Sequence, residues 1–241
     1  MVLILDDLGV NAAQGEAALA LPGPITYAVL PFMPDAHDFS LKADAAISKE
    51  VILHAPMANI SSFPLGPGGL YLEQTEEEFK RVLNESLDSL PMVKGFNNHM
   101  GSLLTQHKEP MLWAMEIAKK RGLFFIDSRT TSATVAAQVA RELEVPVLER
   151  HVFLDYKIDS DLIEQQFLRA TDIALQQGEV VVIGHPYPET IEYLHRGLPI
   201  LDELGIQRVT ASAFLMQEAD LEALHQANEA QSESALRLAA E

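Results

Sequence analysis

The chain has 241 residues, enough to bury the core of one barrel-sized α/β domain or of two small domains, and the regular alternation described below favours one. Its 35 acidic against 17 basic residues give a formal net charge of −18, which argues against nucleic acid and against an anionic membrane surface as partners. With no cysteine, disulfides and thiolate metal sites are excluded, and any metal must be held by histidine and carboxylate.

Residues 1–7 read as a buried strand that runs into two adjacent carboxylates, Asp6 and Asp7, and a Leu8-Gly9 turn. Paired carboxylates at such a place need a compensating cation or proton; the bland alternative is that one caps the next helix and the other faces solvent. Met1 lies directly against this strand, so an upstream segment is expected to have been removed; no signal peptide and no run of roughly 18 apolar residues is found. A helix is expected over 11–21, a strand over 25–30, a helix over 37–48 and a strand over 50–53 that delivers His54, followed by a Pro/Gly/Ser-rich loop over 59–72.

Thr75 and Glu78 form a capping-box pattern that opens a helix to about Leu90. A weak strand over 93–96 leads to Asn97-Asn98-His99, an amphipathic helix spans 108–121, and a strand over 123–126 ends in Asp127-Ser128-Arg129. Then come a helix over 132–143, a strand over 145–148, an extended piece over 150–155, a helix over 159–177 and a buried strand over 179–183 that delivers Gly184-His185. A helix over 189–204 and a last strand over 209–215 complete a single domain over 1–216, and 217–241 form an acidic Ala/Glu/Gln-rich tail. Alternating strands and helices predict a mostly parallel sheet or a distorted (β/α) barrel.

In such folds chemistry collects at the carboxyl ends of the strands, where five polar clusters fall: Asp6-Asp7, His54, Asn97-Asn98-His99, Asp127-Ser128-Arg129 and Gly184-His185. Any one histidine is more often structural than functional; five clusters at successive strand ends together point to a site. Asp7, His54 and His99 make a two-histidine, one-carboxylate set suited to a zinc-type divalent ion. Asp6 then serves as general base and His185 as acid, with Arg129 orienting Asp6 and Asp127 orienting His185. His37, His107, His195 and His225 are expected at the surface, and His151 is undecided.

These strings resemble the divergent polysaccharide deacetylases, a branch of the carbohydrate esterase (NodB-homology) fold: Asp-Asp-Leu-Gly at 6–9, His-Ala-Pro-Met at 54–57, Asn-Asn-His-Met-Gly-Ser at 97–102, Phe-Ile-Asp-Ser-Arg-Thr at 125–130 and Gly-His-Pro at 184–186. The resemblance runs in order over residues 2–215. It implies an irregular (β/α) barrel of the polysaccharide deacetylase type and metal-dependent removal of acetyl groups from a sugar polymer, in the periplasm or otherwise outside the cytoplasm. In the better-known deacetylases the first Asp is the base and the second binds metal, roles that map onto Asp6 and Asp7, and their final Leu-x-His motif maps onto Ile183-Gly184-His185. Two departures stand out. Ala58 occupies the position of a second histidine ligand, and Asn97–Gly101 replaces an Arg-x-Pro-Tyr/Phe-Gly motif, which leaves His99 to supply the missing ligand.

The leading reading is therefore a metal-dependent hydrolase acting on an acetylated glycan of the bacterial envelope. A non-catalytic carbohydrate-binding or envelope protein is the alternative, weakened by the base, ligand and acid set and by only one Trp and five Tyr for sugar stacking. A phosphoesterase is disfavoured by the acidity.

Overall fold

The computed structural model describes residues 1–90 and 92–220. Eight strands, all parallel to their neighbours, form one sheet in the order β6-β5-β4-β3-β2-β1-β8-β7. They are β1 (Val2–Leu8), β2 (Ile25–Val29), β3 (Lys49–Met57), β4 (Gly95–Met100), β5 (Phe124–Asp127), β6 (Val147–Glu149), β7 (Val152–Phe153) and β8 (Val181–Gly184). The edges β6 and β7 are separated in the chain by only Arg150 and His151. Arg150 N donates to Asp127 O and His151 N to Val181 O, so one extended segment passes from one edge of the sheet to the other. The sheet is thereby curled into a distorted (β/α) barrel, the expected fold.

Helices α1 (Ala12–Leu19), α2 (Ala36–Ala45), α3 (Glu76–Asp88), α4 (Lys108–Arg121), α5 (Ala136–Glu142), α6 (Ser160–Gln177) and α7 (Pro188–Glu203) link the strands. Local chemistry sets several of their ends. The Thr75/Glu78 capping box forms at α3, Asp159 accepts from two backbone N–H groups at the start of α6, and Gly122 and Gly178 end α4 and α6 in the left-handed conformation.

Strand parity divides the core in two. Leu3, Leu5, Tyr27, Val29, Val51 and Leu53 pack outward under the helices. Val2, Ile4, Ala28, Ile52, Ile126 and Ile183 point inward and fill the barrel, each large aliphatic contributing about 1.5–3 kcal/mol by burial. The inward parity continues upward to Asp6, His54, Asn97 and His185, which is how the fold delivers them to one space.

Two readings are corrected here. Val209–Leu215 is not a strand: only Val209 bridges to Val2, and residues 211–220 are helical. This helix seats Ala211, Phe214 and Leu215 against the inward core. Its N-terminus is met by Thr26 Oγ1, which accepts from Ala211 N, and by Glu50, whose carboxylate accepts from Ser212 N at 3.2 Å and from Thr26 Oγ1 at 2.9 Å. A buried carboxylate is tolerated there because helix N–H groups point at it. Accordingly residues 217–220 continue a helix, and the rest of the expected tail lies outside the described residues. The second correction concerns strand ends: the strands expected over 50–53 and 93–96 run on to Met57 and Met100, so His54, Asn97, Asn98 and His99 lie within β3 and β4, as Asp6 and Asp7 do within β1.

Candidate active site

The polar residues gather where the strands finish. In a regular strand Asp6 and Asp7 would face opposite sides of the sheet. Asp7 instead takes φ 60°, and the β1–β2 register shifts between Leu5 and Leu8, so both carboxylates reach His54. His54 Nε2 lies 3.6 Å from Asp6 Oδ2 and 3.3 Å from Asp7 Oδ1. A left-handed non-glycine residue is strained, and its presence here marks a place where geometry was held against local preference. Neither aspartate caps α1; Asn11 does so by accepting from Gln14 N.

His54 and Asn97 are register partners across β3 and β4. Asn97 Nδ2 donates to Asp6 Oδ1 at 2.9 Å, which turns its amide oxygen to His54 Nδ1 at 2.7 Å. Because that oxygen only accepts, Nδ1 must carry a proton, and in the neutral ring Nε2 is left with its lone pair facing Asp7. His99 Nδ1 arrives 3.1 Å from His54 Nε2 and 3.0 Å from Asp7 Oδ1. Asp7 Oδ1 is itself buried and makes no hydrogen bond.

Three ligand-type atoms thus form a triangle with sides of 3.0, 3.1 and 3.3 Å. One proton can bridge only one of these sides. Bonds of about 2.0–2.1 Å to a tetrahedral ion would set such atoms about 3.3–3.4 Å apart. The donor set, the spacing and the unbonded buried oxygen therefore fit a zinc-type cation, and the three residues are those singled out from the sequence.

The two carboxylates differ electrostatically. Burial raises the pKa of Asp6, against the opposing pull of His54 and His185. Burial also acts upward on Asp7, but His54 and His99 beside it outweigh this and hold its carboxyl far below the usual range. For His54 burial works downward, yet Asp6 and Asp7 raise its pKa in the absence of an ion.

His185 approaches from β8 and is braced by a residue that the sequence did not reveal. Asp155, fully buried, accepts from His185 Nδ1 at 2.9 Å and His185 N at 2.6 Å, while Thr190 Oγ1 donates to it at 2.8 Å. Burial lowers the imidazole pKa, but Asp155 overrides it and lifts the pKa to about 9. Nε2 faces the pocket, 3.8 Å from Asp7 Oδ2, and Phe153 and Tyr187 flank the ring at 5.4 and 5.3 Å. Asp155 follows β7, whose pairing Phe153↔Ile183 carries it alongside His185; the extended piece over 150–155 was the available signal.

Asp127 and Arg129 do not take the expected positions. Asp127 accepts from Arg129 N, Thr134 Oγ1 and Ala137 N, tying the loop to the start of α5, so it does not orient His185. Arg129, at φ 48°, pairs with Glu149 at 2.6 Å instead of Asp6. Arg150 is the basic residue that lines the pocket. His37, His107 and His195 are exposed and His225 lies outside the described residues, while His151 Nδ1 accepts from Val181 N at the barrel seam and is structural.

A family model described as divergent polysaccharide deacetylase matches residues 3–215. Uncharacterized protein YibQ of Escherichia coli K12 is 35% identical over 196 residues, which are 81% of this chain and 61% of that protein; the chain thus spans under two thirds of this relative's length. Among solved structures, uncharacterized protein ATU2773 of Agrobacterium tumefaciens C58 superposes with a TM-score of 0.84 at 19% identity, covering 88% of this chain and 87% of that one. BA3943 of Bacillus anthracis, a CE4 family pseudoenzyme, superposes with a TM-score of 0.54 at 15% identity, covering 89% and 64%.

Proposed function

The chain belongs to the divergent polysaccharide deacetylase family, and from that membership and the pocket's geometry we propose that it is a metal-dependent hydrolase removing N- or O-linked acetyl groups from a glycan of the bacterial envelope. The observation that carries this reading is the convergence of Asp7 Oδ1, His54 Nε2 and His99 Nδ1 beside a second carboxylate and a braced imidazole. A zinc-type ion held by those three atoms would supply Lewis acidity, polarising the acyl carbonyl and bringing the pKa of a bound water toward about 7.

The chain's own residues supply the proton transfers. Asp6 is fixed through Oδ1 by Asn97 and keeps Oδ2 for the proton of an attacking water. His185, with Nδ1 committed to Asp155, holds a proton on Nε2 for the departing amine or alcohol. Pro186 restricts His185 to extended backbone, and the flanking rings of Phe153 and Tyr187 limit its rotation. Asn97 serves both ends of the site by ordering Asp6 and selecting the His54 tautomer.

A second reading, a non-catalytic envelope or carbohydrate-binding protein, draws support from Ala58, which stands where better-known deacetylases carry a histidine ligand. Acetate release from a panel of acetylated oligosaccharides, measured on zinc-loaded protein, separates the two. Asp6→Asn and His185→Ala should each retain zinc and lose on the order of 100-fold or more in kcat. No acetate from any substrate would favour the binding protein, and a His185→Ala protein turning over at the unmodified rate would remove His185 from the mechanism.

A further inference from the structure

One wall of the pocket takes no part in the proton transfers. Ser128, Arg150 and Phe153 line the same 220 Å³ space as Asp6 and His185, a volume below the roughly 300–1,000 Å³ of drug-sized sites and suited to one sugar-sized unit. Ser128 is only 4% exposed, and its Oγ is buried with no hydrogen-bond partner among the described residues. Its backbone is clamped, with N donating to Asn98 Oδ1 at 2.9 Å and O accepting from Arg150 Nε at 2.6 Å, so only the hydroxyl is uncommitted. A buried hydroxyl left unpaired costs about 1–3 kcal/mol.

Among the described residues Arg150 is the only Lys or Arg lining this pocket. Of its five N–H groups, two are engaged, by Ser128 O and Arg129 O, and among the described residues no carboxylate pairs with it. Its guanidinium lies 5.2 Å from the Phe153 ring centre, which fixes its plane. Burial and the neighbouring Arg129 lower its pKa while the carboxylates of Asp127 and Asp6 act the other way, so the guanidinium feels those acids only at a distance and is hydrogen-bonded by neither. Thr130, nearby, is already spent on Met100 O.

We infer that Ser128 and Arg150 form an anion subsite within the pocket, and that the acyl-bearing unit of the substrate carries a carboxylate. The planar guanidinium presents donors suited to a carboxylate, and the Ser128 hydroxyl adds one more. On a chain of net charge −18, with Asp6 lining the same pocket, a carboxylate is admitted only where a cation meets it directly. As a statement about substrate, this rests on the hydrolase reading; as a binding site it does not.

The test compares glucuronate with glucose by calorimetry at fixed ionic strength. Unmodified protein should bind glucuronate on the order of ten-fold or more tighter, the scale of a hydrogen-bonded charge. Arg150→Met should abolish that preference while leaving glucose binding unchanged. Arg150→Lys should restore part of it, and Ser128→Ala should weaken it a few-fold while raising Tm, since it removes the unpaired hydroxyl. Should Arg150→Met fail to fold because it ties two loop carbonyls, Ser128→Ala and Arg150→Lys carry the test. Equal affinity for the two sugars, or equal weakening of both in each variant, overturns the inference. Repeating the titrations after EDTA treatment separates it from the metal. A preference that needs Arg150 and survives EDTA upholds the subsite even if zinc never binds, whereas one lost on EDTA treatment and in Asp7→Ala, yet intact in Arg150→Met, puts the carboxylate on the ion and overturns it.

Discussion

The two ends of the barrel hold buried charge in opposite ways. At the amino-terminal end Glu50 accepts from Thr26 Oγ1 and from Ser212 N at the start of the helix over 211–220, so its buried carboxylate is satisfied by fixed donors. At the carboxyl-terminal end Asp6, Asp7, His54, His99 and His185 crowd together, with strained backbone at Asp7, Met100 and Arg129 and with Asp7 Oδ1 and Ser128 Oγ unbonded. Arg208 Nε is the remaining unbonded buried atom among the described residues, but its two Nη groups hold Pro22 O and Asp202. One end spends its polar groups on the fold, and the other leaves them turned toward a space.

Substitutions at the two ends should therefore fail differently. The largest effect is expected from Asp7→Ala, which removes one corner of the triangle. Zinc content of the purified protein should fall from one ion per chain to background, with little loss of Tm in metal-free protein; retention of zinc would break the contrast at its strongest point.

Next comes Asp155→Asn. Asp155 raises the His185 pKa to about 9 from the ordinary 6.5, so its contribution to stability is complete below about pH 6.5 and is lost as pH rises through about 9. In metal-free protein the stability gap between unmodified and Asp155→Asn chains should accordingly shrink over that interval, and the His185 resonances should titrate near or below 6.5 in the variant. Titration of His185 near 9 in both proteins would mean that Asp155 is not the cause.

Glu50→Ala probes the other end. It strips partners from Ser212 N and Thr26 Oγ1 and should cost about 1–3 kcal/mol, which is a Tm several degrees lower, with zinc content untouched. A variant that lost zinc as well would couple the two ends. The smallest effect belongs to Arg129→Leu. Its pair with Glu149 is substantially exposed, 44% for the arginine side chain, so the cost should stay below about 1 kcal/mol with activity unchanged. A large loss of activity would return Arg129 to the site.

What was legible in the sequence follows the same division. Helix ends at Thr75, Gly122 and Gly178 could be read because caps are local chemistry. Alternation of elements sufficed for the barrel, and the polar strings after apolar runs sufficed to collect Asp7, His54 and His99. The lengths of β3 and β4 were misjudged because His54 and Asn97 look too polar for a buried strand until they are seen to bond each other and Asp6 of β1. Val209–Leu215 has the composition of a strand, yet partners distant in sequence, Thr26 and Glu50, start a helix there. The brace on His185 was hidden because the β7–β8 register selects Asp155 over Asp127, and Arg129 looked central because its left-handed turn toward Glu149 cannot be read from its neighbours.

The most direct measurement of the central claim is a crystal structure of zinc-soaked protein with data collected at the zinc absorption edge. The account predicts one anomalous peak per chain, bonded at about 2.0–2.2 Å to Asp7 Oδ1, His54 Nε2 and His99 Nδ1. A peak elsewhere, or none while the triangle stays intact, would contradict it.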